Sequence, residues 1–511
     1  MEDYFRKSKV KVQDMLFSSM IFIWVFFAVV IAVNFMINLL PFETESSRIY
    51  AKNFFLLIAS LFFYAWGGIY YLLIMICSIL LNFAGGYVLE LGVKTKKGKK
   101  IALAVLVGLN LAILFFFKYF NMLIAVIESF MQVGEGFSAV WQTMISMQGT
   151  GELGLAKVVL PIGISFFTFQ AMSYTIDVYM GNAKLQTNIV NFALYVSLFP
   201  QLIAGPIVKY SDVALQLGDR RESVNLFVSG QKRFCYGLSK KVLISNALAR
   251  VADDIWALKT EELGSPVAWL GIIAYTFQIY YDFSGYSDMA IGIGRMLGFD
   301  FKENFEYPYT SLSVQEFWRR WHISLSTWFR EYVYIPLGGN RKGAWRTYLN
   351  LFIVFLCTGI WHGANFTFIF WGLFHGFFMI IERLFLGKLL KKNPVKIVNW
   401  IYTMMVVMIG LVYFKSDSIF EANQFIIQMF SFASSTVNSP LTHLSMNVII
   451  MLVAAILFSG IIQRPLKKIY EKVQTKLPVL IADYACQTVL TVYSIFMLVG
   501  GTYNPFIYFQ F

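Results

Sequence analysis

The sequence predicts an all-α integral membrane protein, a bundle of about ten to twelve spans with further re-entrant and interfacial helices, on three observations. Hydrophobic residues make up 58% of the chain and charged residues 14%, with a mean hydropathy of +0.62. That is more apolar side chain than a soluble core can hide from water. Apolar stretches of roughly 20 residues, the length a helix needs to cross a bilayer, recur from Met15 to Phe511. The 42 Lys and Arg residues sit mostly in short connectors between these stretches. The net charge of +13 therefore follows the positive-inside rule rather than marking a nucleic-acid face. The 51 Phe and 28 Tyr suit helices that repeatedly meet the headgroup region.

In chain order, a basic stretch from Arg6 to Lys11 precedes an apolar run from Met15 to Leu40. The run is too long for a signal peptide and lacks a small-residue cleavage site, so it is expected to remain as a first span. Further apolar segments follow near 51–67, 70–91, 101–130, 158–180 and 187–208. Five lysines between Lys94 and Lys100 place that connector on the cytoplasmic side, whereas connectors 132–156 and 430–445, nearly free of Lys and Arg, are expected to face outward. A cytoplasmic N-terminal tail followed by three full spans puts the lysine cluster outside, so either one early segment is re-entrant or the tail is no topogenic signal. Residues 209–262, with Arg220, Arg221, Lys232, Arg233, Lys240 and Lys241, read as cytoplasmic surface helices or a solvated linker. Cys77, Cys235, Cys357 and Cys486 lack paired spacing and read as packing residues.

Polar side chains concentrate between Tyr280 and His375. An ionisable group at the bilayer centre costs about 2.5–3.5 kcal/mol on insertion scales, so several together imply partners or a wet site. Gln315 to Glu331 reads as one helix whose Glu316, Arg319, His322, Ser326 and Arg330 fall within an arc of ~120°. Phe317, Trp318, Trp321, Leu325 and Trp328 lie opposite. This is either an amphipathic surface helix or the wall of a polar tunnel. His322, beside two arginines, is expected to be neutral and able to accept a proton. The apolar run from Leu349 to Ile360 ends in Trp361, His362, Gly363, Ala364 and Asn365, placing an imidazole at membrane depth between Gly359 and Gly363, where a substrate or another helix can approach closely. A lone histidine in a bundle is otherwise a hydrogen-bonded structural group, the reading kept for His375 and His443. Gln170, Tyr174 and Asp177 share a helix face, as do Tyr281, Ser284, Asp288 and Arg295, with Asp282 alongside. Pro200 and Pro206 break the helix around Gln201, which at membrane depth requires protein or a cavity alongside. These three clusters are expected to face one cavity.

The segments FPQLIAGPI (199–207), YYDFSGYSDMAIGIGRMLGF (280–299), EFWRRWHISLSTWFREYVYIPLGG (316–339), WHG (361–363) and the terminal FIYFQF resemble the membrane-bound O-acyltransferase family. They are closest to its branch of alginate, peptidoglycan and polysaccharide O-acetylases. The resemblance implies a single multi-pass domain in the cell membrane, with a motif-bearing core at about 160–386, C-terminal helices over 387–511, and a funnel that narrows at His362, with His322 as the second histidine. It also implies a cytoplasmic acyl-thioester donor, acetyl-coenzyme A in the acetylating branch, a hydroxyl acceptor, and no metal or bound cofactor. An extracytoplasmic acetyltransferase- or esterase-like partner is compatible with it; membrane lipids are the remaining partners. On this reading Tyr286, Trp318, Arg320, Trp321, Trp361 and Asn365 join the candidate substrate contacts named above, and Arg319, Arg320 and Arg330 suit donor phosphates or a developing oxyanion.

Two other readings compete. A transporter fits the composition, but there is no internal repeat and the ionisable groups gather in one third of the chain. D-alanyl transfer from a carrier protein to teichoic acid keeps the chemistry and changes the group. The chain length and the terminal FIYFQF look more like the acetylating branch.

Overall fold

The computed structural model describes residues 16–132, 158, 160–203, 205–432, 438–501 and 503–507, in which every regular element is helical. The N-terminal basic stretch, the connector 133–157 and the last four residues of FIYFQF lie outside the described residues. The helices that position the site are α1 (Ala28–Ile37), α2 (Glu45–Gly67), α3 (Ile69–Tyr87), α4 (Lys96–Gln132), α5 (Ile164–Met180), α6 (Ile189–Ser197), α7 (Phe199–Leu202), α8 (Val224–Ser239), α9 (Asn246–Trp256), α10 (Ser265–Met296), α11 (Val314–Arg320), α12 (Ile323–Phe329), α13 (Ala344–His362), α14 (Phe366–Ile381), α15 (Lys396–Lys415), α16 (Ile419–Phe430), α17 (Met446–Ile456), α18 (Gln463–Val473) and α19 (Leu477–Gly500). Side-chain caps begin several of them: Ser223 accepts from the Leu226 amide, Ser313 from that of Glu316, and Asn365 from that of Thr367.

Among the described residues, seven helices are long and apolar enough to cross a membrane, or eight if the pair Met446–Ile461 and Gln463–Val473, bent by 67°, counts as one broken span. This is fewer than the ten to twelve expected. The first apolar run yields only the shorter helix Phe22–Ile37, below the roughly 20 residues a span requires. Segments around α5, α6 and α10 are apolar because they are buried by other helices. Of α10's 32 residues, all but a few are inaccessible. Apolarity in these helices is satisfied by protein rather than by lipid.

Residues 209–262 contain no candidate span, as expected, and α8 keeps an exposed face, but its other face packs along α10: a Cβ at Gly237 or Gly230 would lie 2.6 Å from the Gly285 carbonyl oxygen or 2.5 Å from that of Gly292. Glycines facing glycines let the two backbones touch, and a side chain at any of these crossings would push them apart. Lys241, just after α8, is fully buried and pairs with Asp282 on α10 at 2.5 Å. Of the four cysteines, all free, Cys235 is buried, but Cys77 and Cys486 are exposed on candidate spans, so those two do not pack in the interior.

Helices α13 and α14 are joined by three residues and run antiparallel. The basic residues before α13 (Arg341, Lys342) and after α14 (Arg383, Lys388) therefore share one end of the bundle, and His362 closes α13 toward the other.

Candidate active site

His362 is the last residue of α13 and is buried. Its ring is held edge-to-face by Trp361 at 4.9 Å, Trp371 at 4.9 Å and Phe414 at 5.2 Å between centroids. Trp371 can come this close because Gly359 and Gly372 let α13 and α14 meet: a Cβ at Gly359 would lie 2.5 Å from the Phe368 carbonyl oxygen, and one at Gly372 would lie 2.4 Å from that of Phe355. The small residue beside the histidine thus serves a helix contact. Two spaces of about 20 Å³ flank the imidazole, each the size of a single water. One is bounded by Lys118, Gly163, Ser165 and Ile203, the other by Trp318, Trp321, Trp371 and His375.

His322 is reached by a different route from the one its sequence suggests. The segment 315–331 is two helices, α11 and α12, and His322 sits between them with φ +45°, a left-handed conformation that non-glycine residues seldom adopt. The break turns Trp321 and His322 inward, so His322 is buried, away from the polar face shared by its helical neighbours. Asn304 Oδ1 accepts from the Ser324 amide (3.1 Å) and hydroxyl (2.8 Å) and faces His322 Nδ1 at 3.2 Å. With that oxygen as acceptor, Nδ1 carries the proton in the neutral ring and Nε2 keeps its lone pair. Nε2 has no hydrogen-bond partner among the described residues. His322 lies outside the candidate spans, and burial pushes its pKa down to about 3. Neutrality was expected from the arginines; its cause is desolvation. The rings of His322 and His362 both rest on Trp361, at 6.0 and 4.9 Å.

The arginines line a separate cavity of about 240 Å³, in which Arg319 and Arg330 are joined by Arg383, Gln315 and Ser326. Trp318 lines both this cavity and the pocket beside His362. Arg320 turns away and pairs with Glu316 at 2.7 Å. Of the remaining candidates, most belong to the frame. Asp282, paired with Lys241, also accepts from the Ile507 amide at 2.9 Å, tying α10 to the C-terminal segment. Tyr286 stacks between Phe17 and Phe506, and Asp288 pairs with Arg233 (2.8 Å) and Lys240 (2.6 Å). Asp177 accepts from the Tyr332 hydroxyl at 2.9 Å, Gln201 donates to the Tyr195 carbonyl, and Asn365 caps α14. Ser284 and the Gln170 amide are buried and lack hydrogen bonds among the described residues. The polar atoms of the three clusters are largely spent on other segments, Asp177 on Tyr332, Asp282 on Lys241 and Ile507, and Asp288 on Arg233 and Lys240, rather than gathered on one cavity.

Three groups near the histidines escaped the sequence reading, and a fourth, His375, reads there as structural only. Lys118 and Tyr119, late in α4, reach the end of α13; Asn304 orients His322; His375 shares a pocket with His362, where its ring packs on Trp318 (5.2 Å) and Trp371 (5.3 Å). No local pattern marks Lys118, a single lysine in an apolar run.

Residues 181–420 match the family described as MBOAT, the membrane-bound O-acyltransferases. The chain is similar to a probable alginate O-acetylase of Pseudomonas putida, 40% identical over 97% of this chain and 100% of that protein. It is also similar to a peptidoglycan O-acetyltransferase of Helicobacter pylori, 35% identical over 73% of each. A teichoic acid D-alanyltransferase of Bacillus subtilis matches at 26% identity over 44% of this chain and 59% of that protein. Together with its multiple apolar spans and two inward-facing histidines, these likenesses make the chain a multi-pass member of the membrane-bound O-acyltransferase family.

Proposed function

We propose that the protein moves an acetyl group from a cytoplasmic thioester, acetyl-coenzyme A, to a hydroxyl on an exported polysaccharide or peptidoglycan, directly or through a partner on the outer face. The observation that carries this reading is the placement of two imidazoles on one indole, with Trp318 as the wall between the His362 pocket and an arginine-lined cavity. His362 is the general base. It removes the acceptor hydroxyl's proton as that oxygen attacks the thioester carbonyl; the C–O bond forms, the C–S bond breaks, and the proton passes to the leaving thiolate. A positioned base of this kind is worth about 10²- to 10⁴-fold. His322, its Nε2 lone pair held ready by Asn304, assists proton movement. Arg319, Arg330 and Arg383 bind donor phosphates; Arg319 and Arg383 have no carboxylate partner among the described residues.

The acetyl reading is supported over D-alanyl by the greater identity to, and coverage of, the O-acetylating relatives. Full-length protein in lipid nanodiscs, given labelled acetyl-coenzyme A or a D-alanyl carrier protein in parallel, should turn over only the first. Turnover of the carrier alone would replace acetyl with D-alanine. His362→Ala should lower turnover by about 10²- to 10⁴-fold with the amount of folded protein unchanged, and substantial residual activity would reject the assignment.

A further inference from the structure

Helix α13 delivers His362 on its last residue, where the final carbonyls of a helix have no partner within the helix. Here they are claimed by α4. The Lys118 amine donates to the Trp361 carbonyl, and the single proton of the Tyr119 hydroxyl faces the Ile360 carbonyl, with that of Gly363 also within reach at 3.1 Å. Two consecutive side chains of one helix thus hold the three residues that bracket the histidine. Lys118 is buried, contacts Ser165 Oγ at 3.3 Å, and has no carboxylate partner among the described residues. It lines the same water-sized space as His362. A lysine without a counter-ion inside a membrane protein is expensive to keep and points to use, and a cation at a helix C-terminus is favoured by the helix dipole. Both side chains precede the stretch 181–420 that matches the family, so the site is completed from outside it.

We infer that Lys118, seconded by Tyr119, is a positioning residue for the acyl-transfer reaction, fixing the turn that aims the His362 imidazole at the acceptor hydroxyl. The inference rests on the reading of His362 as the base. A displacement of about 1 Å in such a group costs about 10²-fold in rate, without weakening a donor bound in a different cavity.

The test measures thiol release from acetyl-coenzyme A by the full chain in nanodiscs. Lys118→Met, which keeps the side chain's length and removes the amine, should lower kcat by about 10²-fold and leave the KM for acetyl-coenzyme A and the melting temperature unchanged. Tyr119→Phe should lower kcat in the same sense by less, and it decides the matter if Lys118→Met does not fold. Wild-type kcat in either folded variant overturns the inference, as does a fall in kcat accompanied by an equal rise in KM. His362→Ala runs alongside: if that variant keeps its turnover, the base assignment fails whatever Lys118 does. An inactive His362→Ala with an unimpaired Lys118→Met sinks only the positioning role.

Discussion

Helix α10 and the stretch from α11 to the end of α13 look alike in sequence, each mixing acids, bases and aromatic residues at a density the rest of the chain lacks. In the fold they do opposite things. On α10 the interior charges are matched: Asp282 with Lys241 and Asp288 with Arg233 and Lys240. Between α11 and α13 two groups stay available, although Arg320 and Arg330 have carboxylate partners: His322 Nε2 has no hydrogen bond among the described residues, and Arg319 faces a cavity. Matched charges build a frame, and groups with spare valence beside a cavity are placed for chemistry. Residue type does not separate the two cases; an account of partners does.

The comparison can be broken first at Asp282. If it is frame, Asp282→Ala leaves Lys241 buried without its partner and destabilises the protein by about 3–5 kcal/mol. This is read as a lowered melting temperature in detergent, with normal KM in whatever protein remains folded. A raised KM at unchanged stability would return Asp282 to the substrate site. His322→Ala should next lower kcat about 10- to 10²-fold with donor affinity retained, since general acid–base assistance acts in the transition state. An unchanged rate would move His322 into the frame. Arg319→Ala should raise the KM for acetyl-coenzyme A about tenfold with kcat little altered, the worth of one charge-assisted hydrogen bond.

The smallest effect is on pH. His322 has a folded pKa of about 3, below the 6.5 of the free side chain. As pH falls below 6.5 the unfolded chain binds a proton that the folded protein refuses, so stability is lost toward acid and is full above that value. One pH unit below 6.5 the loss is about 1 kcal/mol, and thermal melts of His322→Asn should show a shallower acid slope than wild type.

The contrast also explains what could be read along the chain. The buried position of His362 was legible because a histidine closing an apolar run is conspicuous, and the paired glycines around it announced a close approach. His322 was legible as a residue, but its setting was not. A continuous helical wheel put it beside Arg319 and Arg330, whereas the chain breaks at Trp321 and turns it against Asn304 and Phe283. The span count was overestimated for a related reason, since hydropathy cannot tell a helix wrapped in lipid from one wrapped in other helices.

What the sequence determined by itself was the solvent, the helical class and the residue types at the end of α13, because composition and local periodicity act over a few turns of chain. Tertiary structure alone decided which charges cancel, which way His322 faces, and that Lys118 and Tyr119 reach across from α4 to hold the His362 turn. Those contacts join positions more than two hundred residues apart. Whether a buried polar atom is satisfied depends on what the packed neighbours present to it, and no window along the chain contains that information.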